Sequence, residues 1–241
     1  YEPTAGKIIY DDQVIFDSEN KIAVDMLPYR KKMQIVFQDP YASLDPRMTV
    51  ADIIGEAIDI HKLAANKKER YDIIIDMLRK VGLNSEHANR YPHEFSGGQR
   101  QRLALASVLG TKPKLLILDE PVSQMNPQGV QSFLELLVSL QREEHMTIVV
   151  VEHRVNELAA WFPRLCIMHK GHFVYDGLMD ESWYVLGSND GYGIREPQSV
   201  KLGRFMKLEK LSYSLKKTAE EIKQAGIKFQ KSIGPCIAED S

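Results

Sequence analysis

The sequence is organised around Phe95-Ser96-Gly97-Gly98-Gln99-Arg100-Gln101-Arg102, which is followed directly by the apolar run Leu103-Ala104-Leu105-Ala106. Ser96 occupies the N-cap position of a predicted helix, where a serine side chain accepts a hydrogen bond from the first turn. The two glycines expose the backbone N–H groups of that turn, which lie at the positive end of the helix dipole. Such a helix N-terminus can bind an anion such as phosphate. The same residues are also typical of an ordinary capped helix after a glycine-rich loop, so other parts of the chain must decide between the two interpretations.

Composition and charge restrict the class of protein. The 241 residues are 44% hydrophobic and 27% charged, which is typical of a globular chain with one large domain or two small ones. The formal net charge of −2 provides no overall basic surface, so we expect no direct nucleic-acid partner. Cys166 and Cys236 are too few for a disulfide framework and fit a reducing compartment. No apolar run is long enough to span a bilayer, so we expect any work at a membrane to require a partner.

Hydrophobic periodicity predicts strands that alternate with helices, which favours an α/β fold with a parallel sheet. Two apolar runs, Leu115–Leu118 and Thr147–Val151, are typical of strands covered on both faces. The helices between the first predicted strands and the Ser96 helix are expected to form a helical insertion on the sheet domain. Beyond Gly187 we expect the chain to leave this domain, and its last residues to fray. The predicted elements are, in order, an antiparallel hairpin over 7–16, a strand over 33–37, helices over 49–58 and 67–81, the Ser96 helix ending near 110, a strand over 115–118, a helix over 127–142, a strand over 147–151, a hairpin over 164–175 and an exposed amphipathic helix over 216–224.

Polar residues follow the predicted parallel strands, at the edge where α/β sheets place ligand-binding groups. Gln38 follows the strand over 33–37. Asp119 and Glu120 follow the next strand, and His153 follows the last one. Two adjacent carboxylates at such an edge are costly unless they hold a cation or act as acid and base. The alternatives are a helix-capping aspartate with a solvated glutamate, a loop glutamine bonded to its own backbone, and a histidine that is a simple core or loop residue.

Taken together, Gln38, the motif Ser96-Gly97-Gly98-Gln99, the segment Leu115–Pro121 and His153 resemble the ATPase subunit of ATP-binding-cassette transporters. The motifs occur in the order found in that family, and the resemblance covers roughly residues 1–180. It implies an α/β fold with a P-loop NTPase-type parallel sheet, an N-terminal antiparallel hairpin and a helical signature subdomain over about residues 45–110. It also implies an ATPase domain over residues 1–186, followed by a C-terminal extension or linker over 187–241.

The resemblance implies a role for each residue at the strand ends. Gln38 is similar to the Q-loop glutamine, which contacts Mg²⁺ and the attacking water and senses the membrane partner. Asp119 resembles the Walker B aspartate, which binds Mg²⁺ through water. Glu120 resembles the general base that orients the hydrolytic water, and His153 resembles the switch histidine that contacts the γ-phosphate. These roles suit phosphoryl transfer, which depends mainly on positioning and charge neutralisation.

The Ser96 motif resembles the signature sequence of the same family. The resemblance implies that Ser96, Gly97, Gly98 and Gln99 bind ATP held by an opposite ATPase subunit, so we expect a homodimer or a heterodimer. It further implies transmembrane permease subunits as partners, ATP and Mg²⁺ as cofactors, and a peripheral position on the cytoplasmic face of the cell membrane. The transported substrate is not determined by these residues, because membrane and binding subunits select it.

Two features depart from the family pattern. The phosphate-binding loop Gly-x-x-x-x-Gly-Lys-Ser/Thr, or Walker A motif, is absent, because Gly6-Lys7 is followed by Ile8 and no earlier glycine exists. Residues 3–8 resemble the segment shortly after that loop. We therefore expect that the loop and the aromatic residue that stacks on adenine lay upstream and have been lost from this chain, which alone should bind ATP poorly and be inactive. Asn126 stands where the family usually has aspartate, at a position that the resemblance connects with coupling between subunits.

The subfamily pattern is mixed. Residues 28–102 are similar to oligopeptide, dipeptide and nickel importers, whereas residues 106–177 are more similar to energy-coupling-factor ATPases for vitamins and metal ions. We therefore expect the ATPase subunit of an importer of the peptide or nickel type. The alternatives are an energy-coupling-factor ATPase, a cassette protein outside transport, and a cassette that does not hydrolyse ATP.

Overall fold

Strands and helices alternate along the chain, as the sequence predicts. The computed structural model describes residues 3–39, 43–186, 192, 194 and 196–227. The chain divides into two compact units, residues 1–152 and 153–241. The described elements of the first unit are β1 (Lys7–Tyr10), β2 (Gln13–Asp17), β3 (Ile22–Ala23), α1 (Leu27–Lys32), β4 (Met33–Val36), α2 (Val50–Ile60), α3 (Lys67–Lys80), α4 (Gly97–Leu109), β5 (Leu115–Asp119), α5 (Pro127–Glu144) and β6 (Thr147–Val151). Those of the second unit are α6 (Val155–Leu158), β7 (Arg164–His169), β8 (His172–Leu178), α7 (Met179–Leu186), α8 (Gln198–Phe205) and α9 (Leu215–Gln224).

The predicted N-terminal hairpin is confirmed and belongs to a small antiparallel sheet with the strand order β1-β2-β3. Asp11 and Asp12 form the turn between β1 and β2, with φ of 51° and 60°. A two-residue hairpin turn of the kind that matches strand twist requires positive φ at both central residues, and aspartate tolerates this conformation. β3 has only two residues, which is too short for hydrophobic alternation to indicate a strand.

The second sheet is parallel and has the strand order β4-β5-β6. Val36 in β4 pairs with Leu118 in β5, and Asp119 at the end of β5 pairs with Val151 in β6. Helix α5 connects β5 to β6, while α2, α3 and α4 lie between β4 and β5 in the chain. The predicted parallel sheet with a helical insertion is therefore confirmed.

The two faces of the parallel sheet differ in burial. Val36, Leu116 and Leu118 have no more than 3% of their surface exposed. On the opposite face of β6, Val149 and Val151 are 44% and 50% exposed. The prediction that this strand is covered on both faces is therefore wrong for the described part of the chain. An apolar run shows that both faces of a strand can be buried, but it does not identify the element that covers each face.

The helices of the insertion begin at the predicted positions. Thr49 Oγ1 accepts a hydrogen bond of 3.2 Å from the N–H of Asp52 at the start of α2. Asn66 Oδ1 accepts a bond of 3.0 Å from the N–H of Glu69 at the start of α3. Helix α4 packs against both α2 and α3, so the three helices share one apolar interior. Its most deeply buried branched side chains are Ile54, Ile58, Ile74, Leu78, Leu103 and Leu105.

The second unit is built on the hairpin of β7 and β8. Its apolar core combines side chains of the hairpin with side chains from both sides of residue 187: Val155, Ala159, Ile167, Met179, Trp183, Leu186, Val200 and Leu211. Because Val200 and Leu211 pack in this cluster, part of the chain beyond 187 contributes to the same unit as α7. The predicted family boundary at 186/187 stays a prediction.

The predicted amphipathic helix near the C-terminus is present as α9. It buries Thr218 and Ile222 and leaves most of its other residues exposed. The predicted fraying of the last residues falls on positions 228–241, which lie outside the described residues. Among the helices of the described residues, none combines the length and apolar character that crossing a bilayer requires.

An ion-pair cluster lies on the β7–β8 hairpin. The Asp176 carboxylate accepts hydrogen bonds of 2.8 and 2.7 Å from the Arg164 guanidinium and one of 3.2 Å from Cys166 Sγ. These bonds, with Arg164 the largest cause, lower the pKa of Asp176 from 3.8 to about 2. The stabilisation from the cluster is therefore present above pH 3.8 and is lost as the pH falls through about 2.

We expect Arg164→Met to return the pKa of Asp176 toward its ordinary value, because the main donor to the carboxylate is removed. NMR titration of the Asp176 carboxyl group measures the change. Arg142→Met alters an exposed arginine on α5 and should leave the pKa of Asp176 unchanged. An Asp176 pKa that stays low in Arg164→Met would contradict the assigned cause.

Candidate functional site

The ends of β4 and β5 bring Gln38 and Glu120 together. Gln38 lies just beyond β4, and Glu120 follows β5 directly, 82 positions later in the chain. Gln38 Nε2 donates a hydrogen bond of 2.5 Å to Glu120 Oε2. This contact favours a site at the sheet edge over the alternative of a loop glutamine bonded to its own backbone.

The backbone of Glu120 adopts a conformation that is rare for residues with a side chain. Its φ is 42°, in the left-handed region. Its N–H donates a bond of 2.9 Å to Val151 O in β6, and its C=O accepts a bond of 3.2 Å from the N–H of Ser123. These two bonds stabilise a turn that would otherwise be unfavourable. Strain of this kind is found preferentially at functional sites, where a side chain must be presented in one direction.

The chemistry of the side chains at this edge suits a magnesium ion. Asp119 is half-buried at the end of β5, directly before Glu120. Gln38 Nε2 donates to Glu120, so the Gln38 side chain has its oxygen, Oε1, as the atom that can bind a cation. Within the described residues, no group of three or more His, Cys, Asp and Glu side chains is arranged to hold a metal. The donor set fits Mg²⁺, which prefers oxygen ligands, usually keeps several waters and uses only one or two carboxylates.

Ser96 is the N-cap of α4, as predicted. Ser96 Oγ accepts a hydrogen bond of 3.4 Å from the N–H of Gln99, and Gln99 Oε1 accepts one of 3.0 Å from the N–H of Ser96. This reciprocal capping box uses the Gln99 side chain to hold the first turn. The N–H groups of Gly97 and Gly98 lie in the same turn, where a helix provides no internal acceptors. The start of α4 therefore has the geometry of an anion-binding helix N-terminus.

The start of α4 lies against the loop that follows Glu120. A Cβ atom placed on Gly97 would be 3.4 Å from Gln124 O and 4.0 Å from the Gln124 side chain. The contact joins residues that sequence reasoning treated separately, and it was not predicted. The nearest signal was the glycine at position 97, since glycine often marks close approach of another backbone.

Asn126 ends the same loop and is the N-cap of α5. Its Oδ1 accepts a hydrogen bond of 2.8 Å from the N–H of Gly129. Asparagine and aspartate cap helices about equally well, so the position where the family usually has aspartate retains its structural role here. The connection of this position with coupling between subunits stays an expectation from the resemblance.

Two further sequence expectations concern Lys7 and His153. Lys7 lies in β1, and its Nζ is 3.7 Å from Asp17 Oδ2 on β2. This placement agrees with the conclusion that Gly6-Lys7 is not a phosphate-binding loop. His153 is exposed and follows β6 at the first position of the second unit. Its approach to the carboxylates of the first unit stays a prediction.

We expect Asn126→Ala to lower the free energy of unfolding by about 1 kcal/mol, because the N–H of Gly129 loses its acceptor. Asn126→Asp should preserve stability within about 0.5 kcal/mol, since the carboxylate accepts the same bond. Urea denaturation of both variants measures the difference. Gln128→Ala changes an exposed residue of the same turn and serves as the control. Equal destabilisation by the alanine and aspartate variants would contradict the capping role.

The chain has relatives of known kind. Residues 1–123 match the family model described as ABC transporter. The chain is 43% identical over 181 residues to the oligopeptide transport ATP-binding protein OppF of Bacillus subtilis (strain 168), an alignment covering 75% of this chain and 59% of that protein. It is 36% identical over 178 residues to the dipeptide transport ATP-binding protein DppF of Lactococcus lactis subsp. cremoris (strain MG1363), covering 74% of this chain and 56% of that protein. The chain therefore spans less than three fifths of the length of these two curated relatives.

Solved structures show the same fold. The structure of cbiO1 from Clostridium perfringens, described as part of the ABC transporter complex cbiONQ, matches with a TM-score of 0.66 and 25% identity over 86% of this chain and 78% of that one. A dimeric structure of the ATP-binding cassette MJ0796 in a post-hydrolysis state, bound to ADP and Pi, matches with a TM-score of 0.62 and 25% identity over 74% of this chain and 75% of that one. These likenesses confirm the predicted fold class. Since the family model matches more than half of the sequence, the chain belongs to the ABC transporter family.

Proposed function

We propose that this chain is the ATP-binding and ATP-hydrolysing part of a subunit that powers an ABC importer of the peptide or nickel type. The observation that carries the proposal is the hydrogen bond between Gln38 and the Glu120 carboxylate at the edge of the parallel sheet. The family supports ATP as the nucleotide, and the names of the OppF and DppF relatives support a peptide importer.

Glu120 is proposed as the general base. Glu120 accepts a hydrogen bond from Gln38 on Oε2, which fixes the direction of the carboxyl group that acts as the base. Each carboxylate oxygen has two lone pairs, so the same group can also accept a hydrogen bond from water. The hydrogen bond to Gln38 places the Glu120 side chain at the carboxyl edge of the parallel strands, where α/β proteins bind their ligands. Gln38 is proposed to orient both the carboxylate and the attacking water.

Asp119 and Gln38 are proposed to hold Mg²⁺, with Asp119 acting through water. When bound, the ion neutralises negative charge that develops on the phosphate oxygens. His153 is proposed to contact the γ-phosphate. Positioning and charge neutralisation are the main requirements of phosphoryl transfer, and amide, carboxylate and imidazole groups together meet them.

The N-terminus of α4 is proposed to bind the γ-phosphate of ATP held by a second subunit. Ser96, Gly97 and Gly98 present the first turn, while Gln99 stabilises it through the capping box. The protein then works as a homodimer or a heterodimer, for which the dimeric MJ0796 structure is the supporting comparison. Transmembrane permease subunits are the proposed partners, at the cytoplasmic face of the cell membrane. The structural likeness to cbiO1 supports an energy-coupling-factor ATPase as the second candidate.

In the full-length protein, we expect Glu120→Gln to lower the rate of ATP hydrolysis at least about 100-fold, which is the usual contribution of a general base. ATP binding should persist, since glutamine keeps the size and hydrogen-bonding capacity of the side chain. Steady-state phosphate release and ATP binding measure the two properties. Glu143→Gln alters an exposed glutamate of α5 and should hydrolyse ATP at the parent rate. Sustained turnover by Glu120→Gln would refute the assignment of the base.

We expect the chain of residues 1–241 to bind Mg-ATP poorly, because the Walker A motif is absent from its sequence. A version extended upstream to include that loop should bind Mg-ATP, since the loop supplies N–H groups and a lysine to the phosphates. Isothermal titration calorimetry of both versions with Mg-ATP measures the difference. Tight binding of Mg-ATP by residues 1–241 alone would show that the nucleotide site is built differently.

A further inference from the structure

Arg102 hydrogen-bonds two other helices from its position on α4. Its Nη1 donates a bond of 2.8 Å to Val81 O at the end of α3, and its Nη2 donates one of 2.7 Å to Ser132 Oγ on α5. A Cβ atom on Gly82 would lie 3.1 Å from Nη1. The glycine therefore leaves room for the guanidinium in addition to adopting the φ of 72° that ends α3.

The chemistry of this contact depends on geometry more than on charge. Both acceptors of Arg102 are neutral, a backbone carbonyl and a hydroxyl. Burial lowers the pKa of the guanidinium below its ordinary value, because it removes water from the charged group. Packing alone could be supplied by an apolar side chain at lower cost. What the planar fork of arginine adds is the ability to bond rigidly in two directions at once.

A second contact joins α4 to the same neighbouring segment. Gly97 lies against Gln124, as described above. Gly97 and Arg102 are separated by about 7.5 Å along the axis of α4, at 1.5 Å per residue. The first two turns of α4 therefore lie along the segment from Gln124 to Ser132. That segment leads from Glu120 through the Asn126 cap into α5.

We infer that Arg102 is a positioning residue for ATP hydrolysis, an inference that rests on the proposed function. By fastening α4 to Ser132, Arg102 fixes the direction of the N–H groups of Gly97 and Gly98. The segment that Arg102 fastens begins at Glu120. The hydrogen bonds of Arg102 therefore couple the proposed base, which acts on the ATP of its own subunit, to the N-terminus of α4, which contacts the ATP of the second subunit. Arg102 acts through α4 and not by contact with the nucleotide.

In the full-length dimer, we expect Arg102→Ala to lower kcat at saturating Mg-ATP about tenfold or more, since small misplacements of a positioning group have large effects on rate. The Kd of a single subunit for ATP should stay within about twofold, because Arg102 acts through α4 and not by contact with the nucleotide. In the Glu120→Gln background, ATP-driven dimerisation should weaken about tenfold. Arg79→Ala, an exposed arginine at the end of α3, is the control and should change none of these quantities.

Ser132→Ala removes the α5 side of the bridge and should lower kcat by a smaller factor. The double variant should be no slower than Arg102→Ala, because both changes remove the same contact. A lowered Tm with unchanged kcat and dimerisation in Arg102→Ala would overturn the inference. If Arg102→Ala does not fold, Ser132→Ala decides, because its side chain is exposed; unchanged kcat and dimerisation there would overturn the inference too.

Failure of the proposed function is detected separately, by measuring ATP hydrolysis and ATP-driven dimerisation of the protein without substitutions. If the protein without substitutions dimerises with ATP but does not hydrolyse it, the proposed hydrolysis is contradicted. The role of Arg102 is then decided by comparing ATP-driven dimerisation of this protein with that of Arg102→Ala. A parent that does neither overturns both proposals.

Discussion

The parallel pairing of β4 with β5 is the constraint on which the candidate site depends. Because parallel strands end at the same edge of a sheet, this pairing places Gln38 beside Glu120 although 82 positions separate them. The chain between the two strands forms the helical insertion, whose last helix is α4. The pairing of β4 with β5 therefore sets the position of the sheet edge that carries Asp119 and Glu120. It also sets the point from which the helical insertion extends.

The loop from Glu120 to Asn126 connects the two chemically important parts of the first unit. It begins with a strained, hydrogen-bonded turn, contacts Gly97 at its middle and ends as the cap of α5. Hydrogen bonds fix both ends of the loop, and its middle packs against α4. The loop therefore links Glu120 at the sheet edge to the N-terminus of α4.

Local rules predict much of this fold from the residues. Thr49 and Ser96 mark helix starts because a short polar side chain can bond the first turn wherever the helix packs. Apolar runs of strand length predict β5 and β6, and the ordered polar residues at their ends predict the sheet-edge site. By contrast, β3 is too short to show a pattern, and an apolar run does not show which face of β6 is covered.

The sequence by itself determined the helices α2, α3, α4, α5 and α9, the strands other than β3, and the order of the polar residues that suggested the family. Only the tertiary structure decided that Gln38 bonds Glu120, that Gly97 lies on Gln124 and that Arg102 joins α4 to Ser132. The physical reason is the separation along the sequence between the residues that interact. Capping and periodicity depend on residues within a few positions of one another, whereas these three contacts arise only when distant segments pack into one body.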